Sequence, residues 1–231
     1  MPREAMAETG TRTVERALTL LTAVAEDGGT LSQLARAADL SPSTASRLLG
    51  TLAGQELVCR DEHGRYRAGA RLRRLAAATL RADPVYELAG PHLEALAAET
   101  GETANLAVAA DPRHAVYLRQ VTSPKLVQTA GWVGRTVPTQ GTALGDALRG
   151  ALDSRGYVAR TGAVEPEVIS IAAPVHGPDG EIAAALSVLA PAYRMTARRI
   201  EACGRAVAGH AAELSRGLGA PEMVATHGAA A

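Results

Sequence analysis

Leu40-Ser41-Pro42-Ser43-Thr44-Ala45-Ser46-Arg47-Leu48-Leu49-Gly50-Thr51-Leu52-Ala53 opens as a helix start and continues as a helix with two unlike faces. A serine oxygen ahead of the first turn accepts an otherwise orphaned backbone N–H, and proline at the first helical position gives up no bond. Ala45, Leu48, Leu49 and Leu52 recur at helical spacing and form an apolar stripe. Ser43, Thr44, Ser46, Arg47, Gly50 and Thr51 are left on or beside the other face, small hydrogen-bonding groups with one long cation. Such a face suits a DNA major groove, where Ser and Thr near a helix N-terminus meet phosphates or base edges and Arg reaches guanine acceptors.

The flanks support a helix-turn-helix. Upstream, Thr30 caps a short helix with Leu31, Leu34, Ala35 and Ala38 inward, and Asp39-Leu40-Ser41 is the break before the next helix. Earlier still, Val14, Leu18, Leu21 and Val24 predict one apolar stripe on a first helix that stops at Asp27-Gly28-Gly29. Downstream of Gly54 the period changes to two extended runs, Leu57 to Arg60 and Arg65 to Arg67, joined by Asp61-Glu62-His63-Gly64, which reads as a wing. Arg60, Arg65, Arg67, Arg71, Arg73, Arg74 and Arg81 face only Asp61 and Glu62 on the wing and connector, a local basic excess. Arg65 on the wing and Arg12 and Arg16 near the first helix are the expected phosphate contacts. Three helices and a hairpin also serve as protein-docking modules; the small polar helix and the basic wing together favour DNA.

Beyond the wing, Ala70 to Leu80 is a helical connector, and Asp83-Pro84 starts a capped helix to Thr100 with Leu88, Leu93 and Leu96 inward. Apolar runs at Asn105 to Ala110, Val116 to Val121 and Leu126 to Trp132 follow, then a short helix near Leu144 to Leu152. Strands at Val168 to Val175 and Ile182 to Leu189, and a helix from Thr196 to Leu218, complete the pattern. The expected architecture is α+β. Residues 1–12 are a flexible N-terminus, 13–69 a winged helix-turn-helix, 70–82 a linker helix, 83–218 a second domain and 219–231 a flexible tail.

Composition bounds the function. The 231 residues hold 24 Lys plus Arg and 24 Asp plus Glu, so any binding to nucleic acid must come from a local patch. No apolar run is long enough to span a membrane, and no secretory signal opens the chain, so a cytoplasmic protein is expected. Cys59 and Cys203 lie far apart with no ligand-spaced partner, which predicts neither disulfide nor metal, and Cys59 reads as a small buried hydrophobe. Ser170 and Ser187 lack a G-x-S-x-G elbow and a placed base, so no catalytic residue, cofactor or enzyme activity is expected. Trp132 reads as a core residue rather than a ligand-stacking one.

Val14-Glu15-Arg16-Ala17-Leu18, Leu34-Ala35, Leu40 to Leu49 and Gly64-Arg65-Tyr66-Arg67-Ala68-Gly69 resemble the DNA-binding domain of the IclR family of bacterial transcription regulators. Glu99-Thr100-Gly101-Glu102-Thr103, Val133-Gly134-Arg135-Thr136-Val137-Pro138, Arg155-Gly156-Tyr157, Ile171-Ala172-Ala173-Pro174-Val175 and Ala184-Ala185-Leu186-Ser187-Val188 resemble successive blocks of its effector domain. The resemblance covers residues 13 to 217. It implies a GAF-like α/β second domain that binds a small organic effector, a homodimer or dimer of dimers, a double-stranded DNA operator and, most commonly, repression. It also places effector contacts at Leu126, Thr129, Val137, Ala143, Leu144, Arg160, Ser170, Ser187 and Leu189.

The chain departs from the family at three kinds of position. Only Asp146 to Ser154 stand between the Gly145 helix and Arg155, where relatives carry some tens of residues. Members that bind small carboxylates have Asp at Arg160 or Thr161, Cys at Ser170 and Ser at Leu189. Asp146 replaces a usual Lys, and Gln140 a usual His. An Arg and a Leu in place of smaller polar groups imply a larger, partly apolar anion as the effector. A ligand-independent DNA-binding dimer, and an enzyme with a docking helix-turn-helix, are the alternative readings.

Overall fold

Ser41 accepts a hydrogen bond from the Thr44 amide at 3.3 Å and opens a helix over Pro42–Gly54 in the computed structural model, which describes residues 2–221, with side chains from residue 11. This helix, α3, follows α1 (Pro2–Glu26) and α2 (Leu31–Ala37) and precedes β1 (Val58–Arg60), β2 (Tyr66–Ala68) and α4 (Ala70–Arg81). Thr30 and Gln33 form a reciprocal capping box on α2, and Asp39, at φ 51, turns the chain into α3. Ala45, Leu48, Leu49 and Leu52 are buried with Leu20, Val24, Leu34, Ala35 and Val58. The wing β1–β2 is pinned to the α1–α2 turn, where Tyr66 donates its amide to the Gly29 carbonyl at 2.7 Å. Gly28 has φ +60, and a Cβ there would stand 2.7 Å from the Tyr66 carbonyl oxygen, so the turn admits no side chain.

Three expectations in this unit change. α1 starts at Pro2, within the stretch 1–12 expected to be a flexible N-terminus, because proline suits the first helical turn and Arg3 to Glu8 are strong helix formers. Val14 and Leu18 are 59% and 56% exposed; Ala17, Leu20, Leu21 and Val24 form the inward line instead, with Leu20 fully buried. Cys59 is exposed, since it alternates with the inward Val58 along β1.

The chain divides after Ala82. The second unit begins with α5 (Pro84–Thr100), capped by Asp83, and continues β3 (Thr103–Asp111), β4 (His114–Val121), β5 (Thr136–Pro138), α6 (Ala143–Leu148), β6 (Val158–Thr161), β7 (Val168–His176), β8 (Ile182–Pro191) and α7 (Ala197–Gly217). Its six strands form one antiparallel sheet in the order β5-β4-β3-β8-β7-β6. Period-two alternation divides the long strands between two faces. Ile169, Ile171, Ala173 and Val175 with Ala184, Leu186, Val188 and Ala190 pack against α5 and α7, while Ala172, Ala185 and Leu189 face α6. The α+β class therefore holds.

Here too the sequence reading needs correction. Residues Leu126 to Trp132 form no strand, and the edges of the sheet are the short β5 and β6 instead. Leu88 is 42% exposed because Ala89, Leu93 and Leu96 occupy the buried face of α5. Of the tail expected from 219, residues 222–231 lie outside the described residues.

Glu102, at the α5–β3 corner, is fully buried and is met by three cations from three segments. Lys125 Nζ stands 2.6 Å from Oε1, Arg194 clasps both oxygens, and Arg199 Nη2 lies 3.4 Å from Oε1. Burial pushes the carboxyl up, but the Arg194 and Lys125 contacts more than offset this and hold it below the usual carboxylate range. A carboxyl with a depressed folded value stabilises the fold above its unfolded value and loses that stabilisation as pH falls through the folded one. Glu102→Gln should cost about 3 kcal/mol at neutral pH and flatten the acid side of the stability profile. Urea unfolding at neutral and acid pH checks this; a variant as stable as the parent at pH 7 would show that the cluster contributes nothing net.

Candidate functional site

The outward face of α3 lies at its capped end. Ser41 Oγ is 3.1 Å from Ser43 Oγ and donates to Thr44 Oγ1 at 2.9 Å, so cap and face share one hydroxyl cluster at the helix N-terminus. Ser43, Ser46, Arg47, Gly50 and Thr51 are exposed and Thr44 is half-buried. Arg47 has no ion pair among the described residues, and its carbonyl accepts the Thr51 hydroxyl at 3.1 Å, which spends the proton of Thr51 inside the helix. Arg12 and Arg16 are exposed one turn apart on α1, and Arg65 is half-buried on the wing.

The basic excess of the wing is partly spent within it. Arg67 Nε lies 2.7 Å from Asp61 Oδ2, Arg60 donates to the Gly64 carbonyl, and Arg71 donates to Gln55 Oε1 at 2.8 Å. The Arg67 contact holds the Asp61 carboxyl below its ordinary value. What remains available to phosphate is a smaller set that includes Arg47, Arg65, Arg12 and Arg16.

In the second unit a cavity of about 640 Å³ opens on the sheet face that carries α6. β4 supplies Tyr117, β5 Val137, α6 Leu144, β7 Ser170 and β8 Leu189, while Thr129 and Trp132 come from the loop before β5 and Arg160 from β6. Thr142 caps α6, and Gly145 packs so closely that a Cβ would fall 1.8 Å from the Thr139 carbonyl oxygen. Of the effector positions named from sequence, Thr129, Val137, Leu144, Arg160, Ser170 and Leu189 line the cavity. Leu126 does not, being 99% exposed on a loop that the sheet does not hold, and Ala143 and Ser187 are fully buried beyond its lining.

The polar groups around this cavity are unevenly satisfied. Thr129 Oγ1 and Ser170 Oγ, both on its wall, are buried without a hydrogen-bond partner, as are Ser187 Oγ and Asn105 Oδ1. Asn105 and Ser187 are cross-strand neighbours on β3 and β8, so the sheet carries two adjacent unfulfilled acceptors. Asn105 was missed from sequence; an amide in an apolar strand was its only signal. Burial pushes the Tyr117 phenol up to about 12, with the Ser187 hydroxyl facing it short of hydrogen-bonding geometry and pulling the other way.

Two expectations about ligand contacts change. Arg160 does not offer a free charge to the cavity, because Asp146 Oδ2 binds its Nη2 at 2.8 Å and its Nε at 3.1 Å. Asp146 also takes Arg149 at 2.9 Å, and Glu165 and Glu167 add further acid to the lining. Trp132 is a wall of the cavity as well as a neighbour of the core, half-buried with its ring 6.1 Å from that of Tyr117.

Comparison with known proteins matches both units. The IclR helix-turn-helix domain family matches residues 13–62, and the bacterial transcriptional regulator IclR C-terminal family matches 77–157 and 152–216. The two C-terminal matches overlap at residues 152–157. The chain is 28% identical over 246 residues to the HTH-type transcriptional regulator BhcR of Paracoccus denitrificans, covering 90% of this chain and 88% of that protein. It is 26% identical over 260 residues to the HTH-type transcriptional repressor AllR of Salmonella typhimurium, covering 96% and 95%. Among solved structures, an IclR homolog from Microbacterium hydrocarbonoxydans complexed with 4-hydroxybenzoate superimposes with a TM-score of 0.71 at 23% identity, covering 89% and 99%.

A phenol held neutral by burial titrates late. In a spectrophotometric titration, Tyr117 should ionise near pH 12 rather than about 10, and Tyr117→Phe should remove that late step. Because the unfolded chain releases this proton first, stability should fall as pH rises from about 10 toward 12. An unaltered late step in the variant would assign it to another tyrosine.

Proposed function

Since the chain belongs to the IclR family of bacterial transcriptional regulators, we propose that it acts in the cytoplasm as a homo-oligomeric repressor whose grip on a double-stranded DNA operator is set by a small organic ligand. The observation that carries the DNA half is the division of α3: Ala45, Leu48, Leu49 and Leu52 are spent on the core, while Ser43, Ser46 and Arg47 remain exposed at the capped end. Ser43, Thr44, Ser46, Arg47 and Thr51 would face the major groove, with Arg65, Arg16 and Arg12 toward phosphates. The repressing sign is supported by the name of the AllR relative.

The exposure of α4 supports a second copy of the chain as the partner. This helix of 12 residues buries none of them, and Leu75 on it is 54% exposed, as Val14 and Leu18 are on α1. A lone helix of that length is marginal in water, so a partner surface that covers these leucines and Val14 stabilises it. Two heads then meet two half-sites of a pseudo-palindromic operator.

The ligand would occupy the cavity lined by Thr129, Val137, Leu144, Ser170 and Leu189. With Arg160 neutralised by Asp146, an uncharged, mostly apolar molecule fits better than the anion expected from sequence, its polar atoms meeting the Thr129 and Ser170 hydroxyls. Such a ligand shifts operator affinity only by binding one arrangement of the oligomer better than the other.

Fluorescence anisotropy on the DNA upstream of the protein's own gene, against random duplex of equal length, tests the head. Preference for the upstream DNA by about a thousandfold is expected, and Arg47→Ala should cost on the order of 1 to 3 kcal/mol there. Equal losses on both duplexes would reduce Arg47 to a phosphate contact. For the cavity, Trp132 is the one tryptophan, so a ligand that enters should alter its emission and the operator affinity together. Changed emission with unchanged operator affinity would leave the cavity outside the control of DNA binding.

A further inference from the structure

On the opposite face of the sheet from the cavity, α5 and α7 bring two histidines together. His92 Nδ1 and His210 Nδ1 stand 3.3 Å apart, and Glu213 Oε2 lies 3.9 Å from the first and 4.0 Å from the second. Both imidazoles are largely buried, at 23% and 17% side-chain exposure, while Glu213 reaches solvent at 56%. Among the described residues this is the one cluster of three such donors within metal-binding reach. We propose that His92, His210 and Glu213 form a binding site for a divalent transition cation of the zinc kind, which clamps α5 to α7.

The geometry supports this at three points. Two nitrogens bound at about 2.0–2.1 Å to one tetrahedral zinc lie about 3.3–3.4 Å from each other, which is the separation of the two Nδ1 atoms. Glu213 needs a shift of well under one side-chain length to complete three protein ligands, and its exposed side leaves a position for water. The outer nitrogen of His210 has a carboxylate nearby as well: Glu99 Oε2 lies 3.6 Å from Nε2, where a small shift would let it orient a ligating imidazole from behind. Imidazole and carboxylate donors suit zinc, nickel or cobalt and lack the all-oxygen set that magnesium and calcium take. The competing account is a hydrogen bond from one imidazole to the other with no metal involved.

Titration of the chelator-treated full chain with zinc sulfate, followed by calorimetry and by thermal melting, separates the two. One zinc per chain with a raised melting temperature is expected, together with a visible absorption band when cobalt replaces zinc. His92→Gln, His210→Gln and the exposed Glu213→Gln should each weaken binding by about a hundredfold or more, and Glu99→Gln by about tenfold to a hundredfold. Circular dichroism without metal establishes that each variant folds, and Glu213→Gln carries the test if a histidine variant does not. No heat and no melting shift at large molar excess of zinc would overturn the proposal in favour of the imidazole hydrogen bond. Unaltered binding in Glu213→Gln and His210→Gln would overturn it by placing the metal elsewhere.

Discussion

A carboxylate taken wholly out of water at the corner between α5 and β3 organises the second unit. Left alone, the charge of Glu102 would be too costly to bury, so the fold brings Lys125, Arg194 and Arg199 to it from three separate segments. Each approach fixes something else. Arg194 also donates to the Val127 carbonyl at 2.9 Å, and Arg199 to the Thr100 carbonyl at 3.1 Å. The first bond holds the loop that goes on to supply Thr129 and Trp132 to the cavity wall, and the second ties the start of α7 to the end of α5. One desolvated charge thereby sets the position of a binding wall on one face of the sheet and of the helix pair on the other.

The two sheet faces show what that scaffold is for. Against α5 and α7 the strands present a largely aliphatic surface. The other face is incompletely filled, with hydroxyl and amide oxygens at Thr129, Ser170, Ser187 and Asn105 lacking partners. Buried polar atoms of this kind are costly unless something answers them, so they mark where a guest or ordered water belongs. On this face Arg160, a lining residue of the cavity, is held by Asp146. That pair removes a cation from the reach of a guest in the cavity.

Legibility in the sequence followed locality. The caps at Thr30 and Ser41 and the stripe Ala45, Leu48, Leu49, Leu52 act within single helical turns, so both helices of the DNA-reading pair were readable from spacing alone. The face of α1 was not, because Val14 and Leu18 are as apolar as Leu20 and only tertiary packing selects among them. The strands β5 and β6 were too short to show a period, whereas Leu126 to Trp132 was apolar enough to imitate one. Resemblance located much of the cavity, yet the fate of Arg160 depended on Asp146, fourteen residues earlier, and nothing in composition announces such a pair. His92 and His210 are 118 residues apart, beyond any ligand-spacing rule, and meet only because α5 and α7 pack side by side.

Lys125 is the chain's one lysine, and its amine is already engaged with Glu102. Reagents that acylate or cross-link amines therefore meet a protein almost without handles: beyond the N-terminal amine, the sole target is a group whose modification strips a cation from the buried carboxylate. Amine cross-linking is consequently a poor probe of this protein's assembly. The extent to which Lys125 resists acylation is, for the same reason, a direct chemical gauge of how intact the α5–β3 corner is.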